Sequence, residues 1–326
     1  MANMKAVTRV RYGSQDVLSV TTRQKPEPSA TDLLVKVCAT TVNRTDCALL
    51  LGKPWVMRLI AGFSRPRKEI PGTDFSGIVE AIGKNVTGFR PGDLVFGFDD
   101  SGICSQAEYM TIDAGKAIVK MPPDFSFRQA AASAEGAHYA YNFLNKVKLN
   151  AHDQVLVNGA TGAIGSAAVQ LLKDSGVSIT AVCREEHAEI VKKLGAHRVI
   201  DYTTEDFTKL PWKYHFIFDT VGKSSFFRCK KLLLEKGIYI SSELGPWSQN
   251  LFLSLFTPLM GGKRVKFPLP LHPRKSLEFI TKLAERKAFD PLIDRAYSLD
   301  DVQDAYGYVL SGKKAGNVIL SIQEDH

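Results

Sequence analysis

QVLVNGATGAIGSAAVQLLK, running from Gln154 to Lys173, is the stretch whose reading decides the fold. Gln154 leads into a short apolar, β-favouring run that ends at Asn158. A glycine turn follows, and beyond it Ile164, Ala168, Leu171 and Leu172 recur at the spacing of one helix face. The implied order is strand, phosphate loop, helix. Gly159 permits the tight turn, Gly162 lets the backbone approach a pyrophosphate, and Gly165 lets the helix pack close to the strand. An anion placed there meets free N–H groups and the positive end of the helix dipole.

Outward from that stretch, the 326 residues exceed a comfortable single core, so two domains are expected. A hydrophobic content of 44% with 23% charged residues is that of an ordered globular chain and excludes a disordered one. Cys38, Cys47, Cys104, Cys183 and Cys229 are scattered, odd in number and without a CxxC pair, which argues against a disulfide framework and a zinc ribbon. A reduced, cytoplasmic setting is expected. The N-terminus lacks a signal-peptide core, and no apolar run approaches the length that spans a bilayer. The net charge of +8 gathers at Arg58 to Lys68, Lys192 to Arg198 and Lys263 to Arg274. Without a nucleic-acid motif, this reads as solvated surface plus a site for cofactor phosphate.

The first 120 residues read as short strands bounded by Gly, Pro and Asp, a pattern that suggests a small distorted barrel. GKPWVMRLIAGFSRPRKEI (Gly52 to Ile70) breaks it as a loop or short helix, placed as a lid or as packing on the barrel rather than as a membrane contact. MPPD at Met121 marks a boundary, and FSFRQAAASAEGAHYAYNFLNKV reads as helical. Strands then alternate with helices expected at 163–175, 186–194 and 224–235, the signature of a parallel doubly wound sheet. After Gly262 come two amphipathic helices, the second with a capping pattern of Ser298 three residues before Asp301, and a closing strand AGNVILSI.

PGTDFSGIVEAIGKNVTGFRPGDLVFG (Pro71 to Gly97), NGATGAIGSAAVQLLK, KKLGAHRVIDY (Lys192 to Tyr202), FDTVG (Phe218 to Gly222) and SGKKAGNVIL, in this order, resemble the medium-chain dehydrogenase/reductase superfamily. Within it the chain is similar to the zinc-independent, zeta-crystallin-like quinone oxidoreductase branch. The resemblance implies a GroES-like distorted β-barrel catalytic domain (1–122 and 266–326) and a Rossmann domain with a doubly wound parallel sheet for NAD(P) (123–265). It also implies a homodimer joined through the Rossmann sheets.

In metal-dependent relatives, two Cys and a His hold catalytic zinc. Those positions correspond here to Asn43, Thr73 and Glu135, which offer neither thiolate nor imidazole, so no zinc site of that type is expected. The resemblance places cofactor contacts at Gly159, Ala160, Gly162, Ala163, Ile164, Gly165, Val221, Ser241, Ser242 and Asn317. After SITAVC stands Arg184 instead of the acid that holds the ribose diol in NAD enzymes. Arg184 and Tyr202 suit a 2′-phosphate, so NADPH is expected ahead of NADH, although Glu185 and Glu186 would oppose a phosphate. The other reading of Arg184 is a surface residue that opens a helix.

Asn43 and Asp46, in VNRTD, are candidate catalytic residues, Asn43 as a hydrogen-bond donor and Asp46 as an anchor of its loop. Asn and Asp also favour turns for local reasons. Glu135 and Tyr139, in EGAHYAY, are candidate proton donors to a substrate carbonyl, with His138 and Tyr141 nearby. Alternatively, Glu135 pairs with a neighbouring base and His138 is structural. Asn43, Trp55, Met57, Thr73 and Phe267 are expected to line an apolar substrate pocket.

The expected activity is hydride transfer from NADPH to a quinone or an α,β-unsaturated carbonyl, substrates electrophilic enough to react without a Lewis acid. Two alternatives stay open. One is a non-enzymatic NADPH-bound sensor or RNA-binding protein, and the other a reversible NADP-dependent alcohol dehydrogenase in which Glu135 recruits a metal.

Overall fold

Short apolar runs become strands where β-branched side chains pack on a pleated surface and the punctuating Gly, Pro and Asp turn the chain. The computed structural model describes residues 2–55 and 57–323, and the side chain of Ile60 also lies outside the described set. Val56, within the run after Gly52, is thus outside the described residues.

In chain order the elements are β1 (Asn3–Thr8), β2 (Ser19–Gln24), β3 (Asp32–Val42), α1 (Arg44–Leu51), α2 (Met57–Ala61), β4 (Asp74–Ile82), β5 (Leu94–Phe98), β6 (Tyr109–Asp113), β7 (Ile118–Lys120), α3 (Phe127–Ala132) and α4 (Glu135–Leu144). Then follow β8 (Gln154–Asn158), α5 (Ala163–Asp174), β9 (Ser178–Cys183), α6 (Ala188–Leu194), β10 (Arg198–Asp201), β11 (Tyr214–Asp219), α7 (Phe226–Cys229), β12 (Leu233–Ser241), α8 (Gln249–Phe256) and β13 (Arg264–Lys266). The chain closes with α9 (Pro273–Glu285), β14 (Ile293–Ser298), α10 (Val302–Leu310) and β15 (Asn317–Ser321).

Two compact units result, Met1–Glu135 with Pro273–His326 and Gly136–His272. In the first, β1 pairs with β2, and a larger sheet runs β14-β15-β3-β4-β5-β7 with β6 also on β3. Its pairs are antiparallel except β14 with β15. Three strands share β3 as a neighbour, which is why nearly every residue of β3 is buried. One core gathers Leu33, Val35, Phe75, Val95 and Met110; another places Cys47 and Leu50 of α1 and Tyr306 of α10 against Val42 and Val318.

The second unit carries a fully parallel sheet in the order β10-β9-β8-β11-β12-β13. The strand, loop and helix of the opening stretch are β8, Gly159 to Gly162, and α5. The chain is thus α/β, a GroES-like domain with a Rossmann-type parallel sheet.

The units divide later than the sequence places the domains. Ala131 and Ala132 of α3 pack on Ala39 and Ile319, so α3 belongs with the first unit. Residues 266–272 stay with the second, because Lys266 completes β13. The helix expected at 224–235 is the short α7 and a 3₁₀ turn at Lys230–Leu232, since Leu233 already pairs with Tyr214 as the first residue of β12. The helix expected at 186–194 is α6 preceded by a 3₁₀ turn at Glu185–His187. Ser298 does not cap α10. It ends β14 and donates to Asp301 Oδ2 at 2.6 Å, and Asp301 is the N-cap residue.

Candidate active-site residues in each unit

In the second unit the three glycines of the loop differ in what they do. Gly159 has φ +80, and a Cβ there would lie 2.3 Å from Val221 Cγ1; at Gly165 a Cβ would lie 2.1 Å from the Gly159 carbonyl oxygen. Both are glycine because the protein itself fills the space. Gly162 has an ordinary φ of −68, and the nearest atom to a Cβ would be 3.4 Å away. It is the N-cap residue of α5 and has no side chain with which to cap the first N–H groups. The loop therefore offers an open backbone cradle at a helix N-terminus, a fit to a dinucleotide pyrophosphate.

A buried carboxylate, which no sequence argument singled out, holds the strand ends beneath this loop. Asp219 accepts from Asn158 Nδ2 at 3.0 Å, the Ser224 N–H at 3.0 Å and Tyr239 Oη at 2.8 Å, linking β8, β11 and β12. Burial and the Asp219 charge push the Tyr239 hydroxyl up, so it stays a donor. Thr220 Oγ1 donates to the Asn158 carbonyl at 2.8 Å. FDTVG thus joins the turn at Gly159 through Val221 and braces it through Asp219. Ser241 is buried and accepts from the Glu243 N–H at 3.3 Å, while Ser242 is half-buried. Ala160 is buried, and Ala163 and Ile164 are half-buried.

At the ends of β9 and β10, Arg184 Nε donates to Tyr202 Oη at 2.9 Å, and the Tyr202 N–H reaches the Cys183 carbonyl at 3.2 Å. Both side chains are exposed. Glu186 Oε1 lies 3.4 Å from Arg184 Nη1 and also 3.4 Å from His187 Nε2. Arg184 is the N-cap residue of the 3₁₀ turn Glu185–His187, and its side chain is paired with Tyr202 beside one competing carboxylate.

α4 supplies Tyr139, half-buried and edge-on to His138 with ring centroids 5.6 Å apart. Burial pushes the His138 imidazole down to about 4, so it is neutral at physiological pH. Asn142 Nδ2 donates to the His138 carbonyl at 3.0 Å. A Cβ at Gly136 would meet Ala163 at 3.0 Å, the close approach of α4 to the start of α5 that the glycine of EGAHY allows. Phe267, after β13, is half-buried.

In the first unit β3 ends at Val42, and Asn43 turns the chain into α1 through a capping box. Asn43 Oδ1 accepts from the Asp46 N–H at 2.8 Å, and Asp46 Oδ2 accepts from the Asn43 N–H at 3.2 Å. Asn43 Nδ2 donates to Thr73 Oγ1 at 2.7 Å, with Asp74 Oδ2 and Thr41 Oγ1 each 3.4 Å away. Asp74 accepts from the Thr41 N–H at 2.7 Å and from Thr41 Oγ1 at 2.5 Å. Burial raises both carboxyls, Asp74 to about 6 against the pull of those hydrogen bonds, and Asp46 well above the usual range with a further push from Asp74.

The structure therefore brings Asn43, Asp46 and Thr73 together, but Asn43 spends its acceptor and a donor hydrogen on the cap and on Thr73. Glu135, also buried, accepts from Thr45 Oγ1 at 2.5 Å. Burial raises its carboxyl well above the usual range, the Asp100 charge adds to that, and the Thr45 bond opposes it. Lys314, another group passed over in the sequence, is pushed down to about 8 by burial while Glu135 pulls the other way.

Zinc does not fit this donor set. Asn43 turns an N–H, not a lone pair, toward Thr73, and one carboxylate remains. Among the described residues no three His, Cys, Asp or Glu are grouped to hold a metal.

Trp55 is 70% exposed, and Met57 is half-buried on α2. Asn317 Nδ2 donates to the Leu292 carbonyl at 3.0 Å, in the first unit. A cavity of about 660 Å³ in that unit is lined by Met4, Ile70, Ile103, Cys104, Tyr109 and Met110 among others, and by none of the expected pocket residues. Among the described residues no helix is long and apolar enough to cross a membrane.

Comparison with known proteins matches residues 29–123 to the alcohol dehydrogenase GroES-like domain and residues 194–320 to the zinc-binding dehydrogenase family. A quinone oxidoreductase-like protein 2 homolog of Nematostella vectensis is 30% identical over 78% of this chain and 74% of its own. A 2-methylene-furan-3-one reductase of Solanum lycopersicum is 29% identical over 98% of this chain and 79% of its own. The solved quinone oxidoreductase of Coxiella burnetii superposes with a TM-score of 0.88 at 24% identity, over 99% of this chain and all of that one, a likeness of fold.

Proposed function

Because the chain belongs to the medium-chain dehydrogenase/reductase superfamily, in its quinone oxidoreductase branch, and is an oxidoreductase, we propose that it reduces quinones or α,β-unsaturated carbonyls with NADPH and without a metal ion. The observation that carries the reading is the open cradle at Gly162, a glycine whose absent side chain leaves space that no protein atom fills. Bound there, NADPH would supply the hydride. Arg184 and Tyr202 would hold the 2′-phosphate, displacing Glu186 from the guanidinium.

With no imidazole or thiolate set to bind zinc, the substrate must already be electrophilic enough to accept hydride. What remains is to place a proton on the reduced product. Glu135, whose carboxyl burial raises well above the usual range and which Thr45 holds, is the proposed donor, with Tyr139 as the second candidate. Asp46 acts through Asn43, fixing the cap that starts α1.

The names of the relatives support the substrate class: two are called quinone oxidoreductases or their like, and one a reductase of a methylene-furanone. A homodimer joined through the parallel sheet belongs to the same reading, since the sheet ends in two open edges, β10 and β13. Following the nicotinamide absorbance while the protein meets a panel of quinones and enones tests it. Turnover with NADPH ahead of NADH is expected, and no turnover with any electrophile would overturn it.

A further inference from the structure

Lys314 stands where three parts of the first unit converge. β15 runs antiparallel to β3 with Val318 opposite Val42, so the residues that lead into β15 run alongside the turn from Asn43 into α1. Lys314 Nζ donates to the Gly316 carbonyl at 2.6 Å, which lays its side chain along that approach. α3 comes to the same place. Its Ala131 and Ala132 pack on Ala39 and Ile319, and Glu135 follows three residues later to accept from the Thr45 hydroxyl of α1. Lys314 and Glu135 are thereby brought to one turn of α1, and of the charges around Lys314 that of Glu135 acts on it most strongly.

The groups around the two residues differ in kind. Lys314 is also faced by Arg44 and Cys47 of α1 and by Asp294 of β14. Asp294 is engaged elsewhere, accepting from Tyr308 Oη and the Ala315 N–H, each at 2.8 Å. Glu135 is faced by Asp46 of α1, Asp74 of β4 and Asp100, all of them acids. Once Glu135 has given up its proton, its carboxylate lies in a ring of like charge, and Lys314 is the neighbour with an opposite charge and a proton to release. An ordinary lysine holds that proton too tightly to pass it on near neutral pH. Burial brings Lys314 down to about 8, which leaves it charged at neutral pH but a far better acid.

We propose that Lys314 acts through Glu135, returning a proton to its carboxylate after each turnover. The inference rests on Glu135 as the donor proposed above. In this step an N–H bond of the Lys314 ammonium breaks and an O–H bond forms on Glu135, and the amine then takes a proton from the solvent. No electrons change hands, and one solvent proton is consumed for each product formed. Lys314 is half-buried and keeps access to that solvent.

Steady-state reduction of an enone by the full chain, followed across neutral and alkaline pH, tests it. Parental kcat should fall as pH rises through about 8, where Lys314 loses its charge. Lys314→Met should lower kcat about tenfold or more at neutral pH, lose that alkaline limb and regain activity with added ethylamine. Lys314→Arg keeps the charge and a donor for Gly316 but does not release a proton, so it should stay as slow as the methionine variant. Parental kcat in Lys314→Arg, or a parental pH profile in Lys314→Met, would overturn the proposal. Glu135→Gln tells the two readings apart: if it keeps parental kcat the donor assignment falls and this inference with it, whereas a slow Glu135→Gln beside a parental Lys314→Met overturns this inference alone. Infrared difference spectra need no turnover. The protonated-carboxyl band that Glu135→Gln abolishes should persist to higher pH in Lys314→Met, because the cation that favours the carboxylate is gone, and an unshifted band would overturn the coupling.

Discussion

Replacing Gly162 by alanine separates a glycine kept for the fold from one kept for a ligand. The backbone at Gly162 has φ −68 and ψ 168, which alanine adopts freely, and the nearest atom to the new Cβ is the Gly159 carbonyl oxygen at 3.4 Å. Folding loses only a slightly poorer N-cap, at most about 1 kcal/mol. A pyrophosphate on the first N–H groups of α5, however, must approach where the methyl now stands. Losing one charge-assisted hydrogen bond costs about 1.5–3 kcal/mol, roughly a ten- to hundredfold rise in the NADPH dissociation constant.

Gly165→Ala provides the contrast. Its Cβ would lie 2.1 Å from the Gly159 carbonyl oxygen and 2.9 Å from Ala160 Cα, so α5 must shift from β8 at about 1–3 kcal/mol, and the melting temperature should fall by several degrees. Calorimetric titration with NADPH, alongside thermal unfolding of both variants, reads the difference. A Gly162→Ala protein that melts and binds NADPH like the parent would refute the cradle.

Further consequences concern the ends of the site. Arg184→Ala removes the guanidinium that Tyr202 orients, and KM for NADPH should rise roughly tenfold or more while that for NADH barely moves; an equal change for both would remove the 2′-phosphate role. Glu135→Gln keeps an acceptor for Thr45 but cannot release a proton, so kcat should fall at least about tenfold with the melting temperature retained, and parental kcat would exclude Glu135 as the donor. Asp74 titrates near 6 in the folded protein, against about 3.9 when unfolded. Its folded pKa is raised, so the stability it contributes is present below about pH 4 and lost as pH rises through 6. The penalty of Asp74→Asn should therefore be largest near pH 4 and shrink by up to about 3 kcal/mol above pH 6, and thermal unfolding in which that penalty grew with pH would contradict the burial argument.

Sequence and structure agree where a local pattern carries its own reason. The run from Gln154 to Lys173 is legible because the steric demands at Gly159 and Gly165 lie within a few residues of each other. The 224–235 segment misleads because Leu232, Leu233 and Leu234 suit a helix face and a buried strand equally, and only pairing with Tyr214 decides for β12. VNRTD reads as turn or site alike, and the capping box shows the turn. Glu135 meets Thr45 across ninety positions, a closeness local patterning does not show. Asp219 lay inside a motif already noticed, but its donors come from three separate strands or turns, so its bracing role appears only in the assembled sheet.

Direct hydride delivery without a metal is the central claim, and isotope transfer tests it most directly. Protein treated with a chelator is given NADPH deuterated at the transferable C4 position together with an enone, and the product is examined by mass spectrometry. One deuterium on the former alkene carbon β to the carbonyl, at a rate unchanged by chelation, is the expected result. A reduced product without deuterium at that carbon, or turnover that appears only after zinc is restored, would contradict it.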